Sequence, residues 1–185
     1  MAQNINDKVA LSSLPKDLID RILLINEKTG FIPNIFLELA NRPDELKAFM
    51  DYHEVIEKGS GLTKIEREMI ILATSSANKC PYCVVAHGAI LRVRSRDPLI
   101  SDKISINYRS ADISGKHKVM LDFACKLARE PELVDENDKK NLISVGFSEE
   151  QIWDIGSITS FFALSNRMSH LINVRPNPEF YGMGR

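Results

Sequence analysis

The sequence lacks a long apolar run. A stretch such as Met69 to Ala73 falls far short of the roughly 20 residues a helix needs to cross a bilayer. The apolar segment after Lys8 is likewise too short for the core of a secretion signal. A cytoplasmic protein with no membrane partner is therefore expected. Charge of either sign is not in excess: 24 Lys and Arg against 25 Asp and Glu leave a net charge of −1. No broad cationic field is available for nucleic acid, so a nucleic-acid partner is not expected. Cysteine is scarce and odd in number, three in 185 residues. A chain of this size buries roughly 70% of its unfolded surface and needs no covalent staples. In a reducing compartment, a close cysteine pair is more often catalytic or metal-binding than structural. Cys80 and Cys83 are such a pair.

Two-residue alternation bounded by turns is nearly absent, whereas apolar residues recur every three or four positions, which predicts an all-α fold. A loose arm is expected over the first twelve residues. Helices are expected from Lys16 to about Lys28 with a stop at Gly30, from Ile35 to Ala40, and from Asp44 to Glu57 after Pro43. Lys58-Gly59-Ser60-Gly61 then breaks the chain. Thr63 with Glu66, and Ser148 with Gln151, each form a Ser/Thr-x-x-Glu/Gln box that starts a helix. Leu62 and Phe147 precede the two boxes. The shared start, 85 residues apart, hints at a duplicated helical unit; at that offset the cysteines fall opposite Ser165 and Met168. Gly115 to Glu130 reads as a further helix, with Val119, Met120, Phe123, Ala124 and Leu127 on one face and Pro131 ending it. One domain over residues 1–185 is expected: an arm and helical extension over 1–45, a helical core over 46–175 and a tail over 176–185.

Chemistry concentrates between Thr63 and Val93. Cys80-Pro81-Tyr82-Cys83 is placed in the first turn of a helix, where Pro81 suits the first position. Backbone N–H groups and the positive end of the helix dipole stabilise a thiolate there. Cys80, Cys83 and His87 stand at i, i+3 and i+7 on one face, so His87 is a candidate base one turn beyond Cys83. On the preceding helix Glu68 shares a stripe with Leu72 and Ser75. If that stripe faces inward, Glu68 is a carboxylate in poor solvent and a candidate proton acceptor.

Glu68, eleven residues, Cys80, two residues, Cys83, three residues, His87 and then Gly88 form a specific constellation. With Gly30 to Asn34 upstream and Phe161 to His170 downstream, the chain resembles the carboxymuconolactone decarboxylase-like superfamily, within it the alkyl hydroperoxide reductase D (AhpD)-like branch of peroxidase-related proteins. The resemblance spans roughly residues 15 to 175. It implies an AhpD-like helical bundle that works as a cofactor-free peroxidase, holds no metal and assembles as a homo-oligomer, trimer or hexamer. It also implies that Cys83 attacks the hydroperoxide, Cys80 resolves the sulfenic acid as a disulfide, and Glu68 and His87 relay protons. The implied reductant is a dithiol, in the best-described members a lipoylated protein. Those members carry a second histidine between the cysteines, where this chain has Tyr82.

Local physics leaves other readings open. The outermost cysteine of a helix start, Cys80, is the one that thioredoxin-like chemistry would choose to attack. Glu68 can instead be an exposed helix residue among Lys64 and Arg67, and His87 a satisfied core histidine. A glutaredoxin would place the motif after a β-strand, and here a capped helix precedes it. Zinc finds only three ligands, Cys80, Cys83 and His87. Haem attachment needs a histidine where Val84 stands. Cys125 falls on an apolar helix face and reads as core; His53, His117 and His170 read as surface or packing residues. Asn166-Arg167 reads as a carboxylate-binding pair, a subunit contact or a helix-end contact. The functional alternative to a peroxidase is a general thiol–disulfide oxidoreductase, or a redox-responsive stress or binding protein with little turnover. True decarboxylation is disfavoured, because that arm of the superfamily does not use the cysteine pair.

Overall fold

The computed structural model describes residue 11, residues 14–59 and residues 61–185. The expected N-terminal arm therefore lies almost wholly outside the described residues. Ten α-helices and one 3-10 turn, with no strand, make up the described residues. They are α1 (Lys16–Thr29), α2 (Asn34–Leu39), α3 (Pro43–Lys58), α4 (Lys64–Ala77), α5 (Pro81–Ser95), α6 (Ile100–Asn107), α7 (Gly115–Arg129), α8 (Glu136–Ser144), α9 (Glu149–Leu171) and α10 (Glu179–Gly182).

The helix starts follow the local chemistry. Thr63 and Ser148 each accept a hydrogen bond from the third helical N–H, and the Glu66 and Gln151 side chains reach back to the cap residue. Those paired bonds satisfy backbone donors that the first turn leaves open. Gly30 closes α1 in the left-handed region at φ 84°, a conformation that a Cβ makes costly. A third box, Asp135 with Asp138, starts α8.

Helix α4 is central: every residue from Glu66 to Ser75 is buried, and it packs against α5, α7 and α9. One apolar cluster joins Ile70, Leu72, Met120, Leu121 and Ile155. On α7 the buried stripe is Met120, Leu121, Ala124 and Ala128, rotated from the expected one, and Val119 and Phe123 are partly buried at its edge. A second cluster collects Leu18, Ile22, Ile35, Leu46 and Phe180 around the first turn of α5 and includes both Cys80 and Cys83. Phe49 touches both clusters. The cysteine pair thus lies where the N-terminal helices meet the central pair α4–α5.

Candidate functional site: a buried dithiol beside an apolar cavity

The junction of α4 and α5 sets the first sulfur. Lys79 takes a left-handed conformation at φ 55°, and the Cys80 N–H returns to the Ser75 carbonyl at 2.9 Å. This reversal leaves Cys80 as the N-cap of α5, with Pro81 in the first turn and the Cys80 sulfur accepting from the Cys83 N–H at 3.5 Å. Cys80 therefore occupies the place that Ser, Thr or Asp takes at other helices, and a thiolate there meets backbone donors.

The two thiols are not equivalent. A hydrogen bond from the Cys83 thiol, working against burial, draws Cys80 down to about 6; the Cys83 N–H, the Ser169 hydroxyl and His170 act in the same direction. Cys83 is raised well above its ordinary value, first by donating to Cys80 and then by burial, with Ser169 and Asn166 opposing. Its sulfur lies 3.8 Å from Ser169 Oγ and 4.0 Å from Ser165 Oγ. In the dithiol state the negative charge rests on Cys80, and the proton between the sulfurs sits on Cys83.

Glu68 is buried, 1% exposed, yet it is not a carboxylate without partners. Its Oε2 accepts from His87 Nδ1 at 2.9 Å and its Oε1 accepts from Arg94 Nη1 at 2.8 Å. Glu57 stands 3.6 Å from Arg94. Since a carboxylate only accepts, the proton of neutral His87 is held at Nδ1, leaving Nε2 as the basic nitrogen. Arg67 is not the cation at Glu68; it bonds the Ile56 carbonyl and lies 3.6 Å from Asp154.

A cavity of about 300 Å³ opens on this group, lined by Cys83, His87, His53, Phe162, Phe180 and Met183 among others. Cys80 is not part of its lining. The edge of the His87 ring meets Phe162, with centroids 4.7 Å apart. Tyr82 turns away from proton transfer: its hydroxyl accepts from the Ile35 N–H at 3.4 Å, and burial raises it above its ordinary range.

The segment expected as a tail forms one wall. Arg92, 4% exposed on α5, donates to the Phe180 carbonyl at 2.8 Å, the Met183 carbonyl at 2.9 Å and Ser101 Oγ at 3.0 Å. Arg185 makes two 2.9 Å bonds to Asp102, and Phe180 meets the Phe31 ring edge-on at 4.8 Å. A Cβ on Gly184, at φ 74°, would stand 2.8 Å from Arg92 Cβ, so this close approach needs glycine.

The structure brings Glu68, Cys80, Cys83 and His87 into one group. It adds Ser165 and Ser169, and it gives Asn166, His53 and His170 places that their sequence neighbours do not indicate. Ser165, Ser169 and Asn166 reach the cysteines from α9, and Asn166 links Asn78 to Ser75 with two 3.0 Å bonds. His170 Nε2 lies 3.2 Å from the Asn78 carbonyl. His53 enters from α3. Serines four apart on a buried helix face are the signal that could have marked α9. Arg167, by contrast, is exposed and bonds the Ala163 carbonyl of its own helix. Cys125 is half-buried, its thiol pushed up to about 11 by burial. Among the described residues, no three of His, Cys, Asp and Glu are grouped to hold a metal ion, and no helix is long and apolar enough to cross a membrane.

Residues 43–98 match the Carboxymuconolactone decarboxylase family. The alkylhydroperoxidase AhpD core, an uncharacterized peroxidase-related protein from Ralstonia eutropha JMP134, is 52% identical over 95% of this chain and 93% of its own, with a TM-score of 0.92. An uncharacterized peroxidase-related protein from Silicibacter sp. TM1040 is 38% identical over 94% and 91% of the two chains, with a TM-score of 0.89. The debrominase Bmp8, at 20% identity over 91% and 90% and a TM-score of 0.75, shares the fold. No match is found among curated proteins.

Proposed function

Because the chain belongs to the carboxymuconolactone decarboxylase family, in its AhpD-like part, we propose that it reduces hydroperoxides through a Cys80–Cys83 dithiol/disulfide cycle. The observation that carries this reading is a buried thiol pair at a helix start, the Cys80 sulfur capping the Cys83 N–H at 3.5 Å, of which Cys83 alone opens on an apolar cavity that also holds His87.

Charge and access point to different sulfurs, and access decides. A peroxide must reach the attacking sulfur, and Cys83 lines the cavity. The Cys83 proton passes to His87 Nε2, whose ring Glu68 holds in the right tautomer, or to Cys80. The Cys83 thiolate then attacks the terminal peroxide oxygen, the O–O bond breaks, and the leaving oxygen takes the proton. Cys83 becomes a sulfenic acid and the product is an alcohol. Cys80, drawn down to about 6, is a thiolate at neutral pH and suited to the second step. It attacks the Cys83 sulfur, forms the disulfide and expels hydroxide, which takes up the solvent proton that Cys80 had released and leaves as water. Two thiols and one hydroperoxide thus give one disulfide, one alcohol and one water. A dithiol, such as a lipoylated protein, would return the pair to its reduced form, and family membership is the ground for proposing a trimeric or hexameric assembly.

The test is one equivalent of hydroperoxide in the presence of a sulfenic-acid trap, with the adduct mapped by peptide mass spectrometry in the wild type and in Cys80→Ser. Trapping on Cys83, persistent in Cys80→Ser, is the expected result. An adduct on Cys80, or two inert thiols, overturns the assignment.

A further inference from the structure

Resting on the peroxidase reading, we propose that His53 is a further catalytic residue, the hydrogen-bond donor that receives the leaving oxygen of the hydroperoxide in the cavity. His53 sits on α3, across the cavity from α5, and lines the same space as Cys83 and His87. Its ring centroid lies 5.7 Å from that of Phe161 and 6.0 Å from that of Phe162. His87 meets Phe162 at 4.7 Å, so the two imidazoles stand against one aromatic ring.

The ring nitrogens of His53 have no hydrogen-bond partner among the described residues. Most other polar groups of this cavity are committed, and the Ser165 hydroxyl stands 4.0 Å from the Cys83 sulfur. The Tyr82 hydroxyl serves Ile35, the Thr29 hydroxyl serves the Ile25 and Phe31 carbonyls, and Glu54 holds Arg21. His53 is half-buried, and its ring nitrogens are free to pair with a polar group that enters the cavity. A hydroperoxide supplies the missing partner: a small molecule with an apolar substituent and two oxygens.

Burial keeps this imidazole a neutral donor against carboxylates that favour its charged form. Glu54 and Glu57 on α3, Glu68 on α4, and His87 on α5 act on it electrostatically, while α9 presents the Phe161 and Phe162 rings to it and Ser165 to the same cavity. Arg94 is taken by Glu68 and Glu57, and Arg21 by Glu54 and Asp51. Burial, with His87 acting in the same direction, lowers His53 below its ordinary value. A neutral ring donates one N–H. As the Cys83 thiolate attacks, negative charge develops on the leaving oxygen, and the His53 N–H stabilises it. The proton that completes the alcohol is the one His87 took from Cys83, so His53 keeps its own.

The test compares two reactions of Cys83 at neutral pH, both read by peptide mass: oxidation by cumene hydroperoxide in a single turnover, and alkylation by iodoacetamide. Alkylation needs the thiolate but no stabilised leaving oxygen. His53→Leu is expected to slow oxidation about 100-fold with alkylation within about two-fold of wild type, and His53→Gln, which keeps an N–H donor, to recover part of the loss. His53→Met, which fills the space flexibly, serves if His53→Leu does not fold. Equal loss in both reactions, or unchanged oxidation in the apolar variants, overturns the role of His53 while leaving the peroxidase reading intact. A wild-type protein that oxidises no faster than a free thiol overturns both.

Discussion

His87 Nδ1 lies 2.9 Å from Glu68 Oε2, a bond between two helices that fixes which nitrogen of the imidazole is free. The other Glu68 oxygen holds Arg94 at 2.8 Å. One buried carboxylate therefore orients the base and neutralises a cation at once.

Glu68→Gln keeps the shape and removes the charge. A Gln amide has one carbonyl oxygen for two donors, so either His87 or Arg94 loses its acceptor. A stability loss of about 2 kcal/mol is expected in chemical denaturation, together with a fall of about 100-fold in the single-turnover oxidation of Cys83. Unchanged oxidation with unchanged stability would count against the orienting role of Glu68.

The thiol pair is expected to titrate in two well-separated steps. Thiolate absorbance near 240 nm should rise with a midpoint of about 6 for Cys80, and Cys83 should ionise only well above the ordinary thiol range. In Cys80→Ser the low step disappears; its survival there would assign it to another group.

Stability follows from the same two shifts. Cys80 is depressed in the folded chain relative to an unfolded thiol near about 8.5. From about 6 to about 8.5 the unfolded state thus binds more protons, and stability rises with pH. Cys83 is raised, so its contribution is full below the unfolded value and is lost as pH climbs above it. Denaturation midpoints of the reduced protein should therefore increase from pH 6 to pH 8 and stop increasing above about pH 9. Cys80→Ser should flatten the rise.

Phe180→Ala tests the C-terminal wall. Phe180 is 5% exposed and lines the cavity, so truncation is expected to cost about 3 kcal/mol and to speed labelling of Cys83 by bulky maleimides several-fold. Arg92→Ala, which removes three hydrogen bonds to the wall and to Ser101, should act in the same direction. Slower labelling in both variants would mean that this segment does not limit access.

Cys125 serves as the internal control. Its thiol, pushed up to about 11 by burial, is expected to resist iodoacetamide at neutral pH. Cys125→Ser should leave the oxidation rate of Cys83 and the titration of Cys80 as they are in the wild type. Rapid alkylation at Cys125 would contradict its burial.

What was legible in the sequence is what local chemistry dictates. Capping boxes at Thr63 and Ser148, the left-handed stop at Gly30 and Pro81 at a first turn are decided within four residues, and each stands where it was expected. The i, i+3, i+7 spacing put Cys80, Cys83 and His87 on one helix. Helices α6, α8 and α10 carried weaker signals, being short and stabilised chiefly by what they pack against.

The partners of those residues were set by tertiary contacts, because a side chain at hydrogen-bond distance can come from anywhere in the chain. Arg94, 26 residues from Glu68, supplies its cation, while the neighbouring Arg67 turns to Ile56 and Asp154. Ser165, Ser169 and Asn166 approached from α9, His53 from α3, and Phe180 from a segment read as a tail. The same contacts kept the lower thiol at Cys80 but gave the cavity to Cys83. A helix start favours a thiolate at Cys80 from sequence alone, but only the packed structure shows that Cys83 is the sulfur facing a cavity. Periodicity says which residues share a helix face; it does not say which helix that face will meet, and the reactivity of this thiol pair depends on the answer.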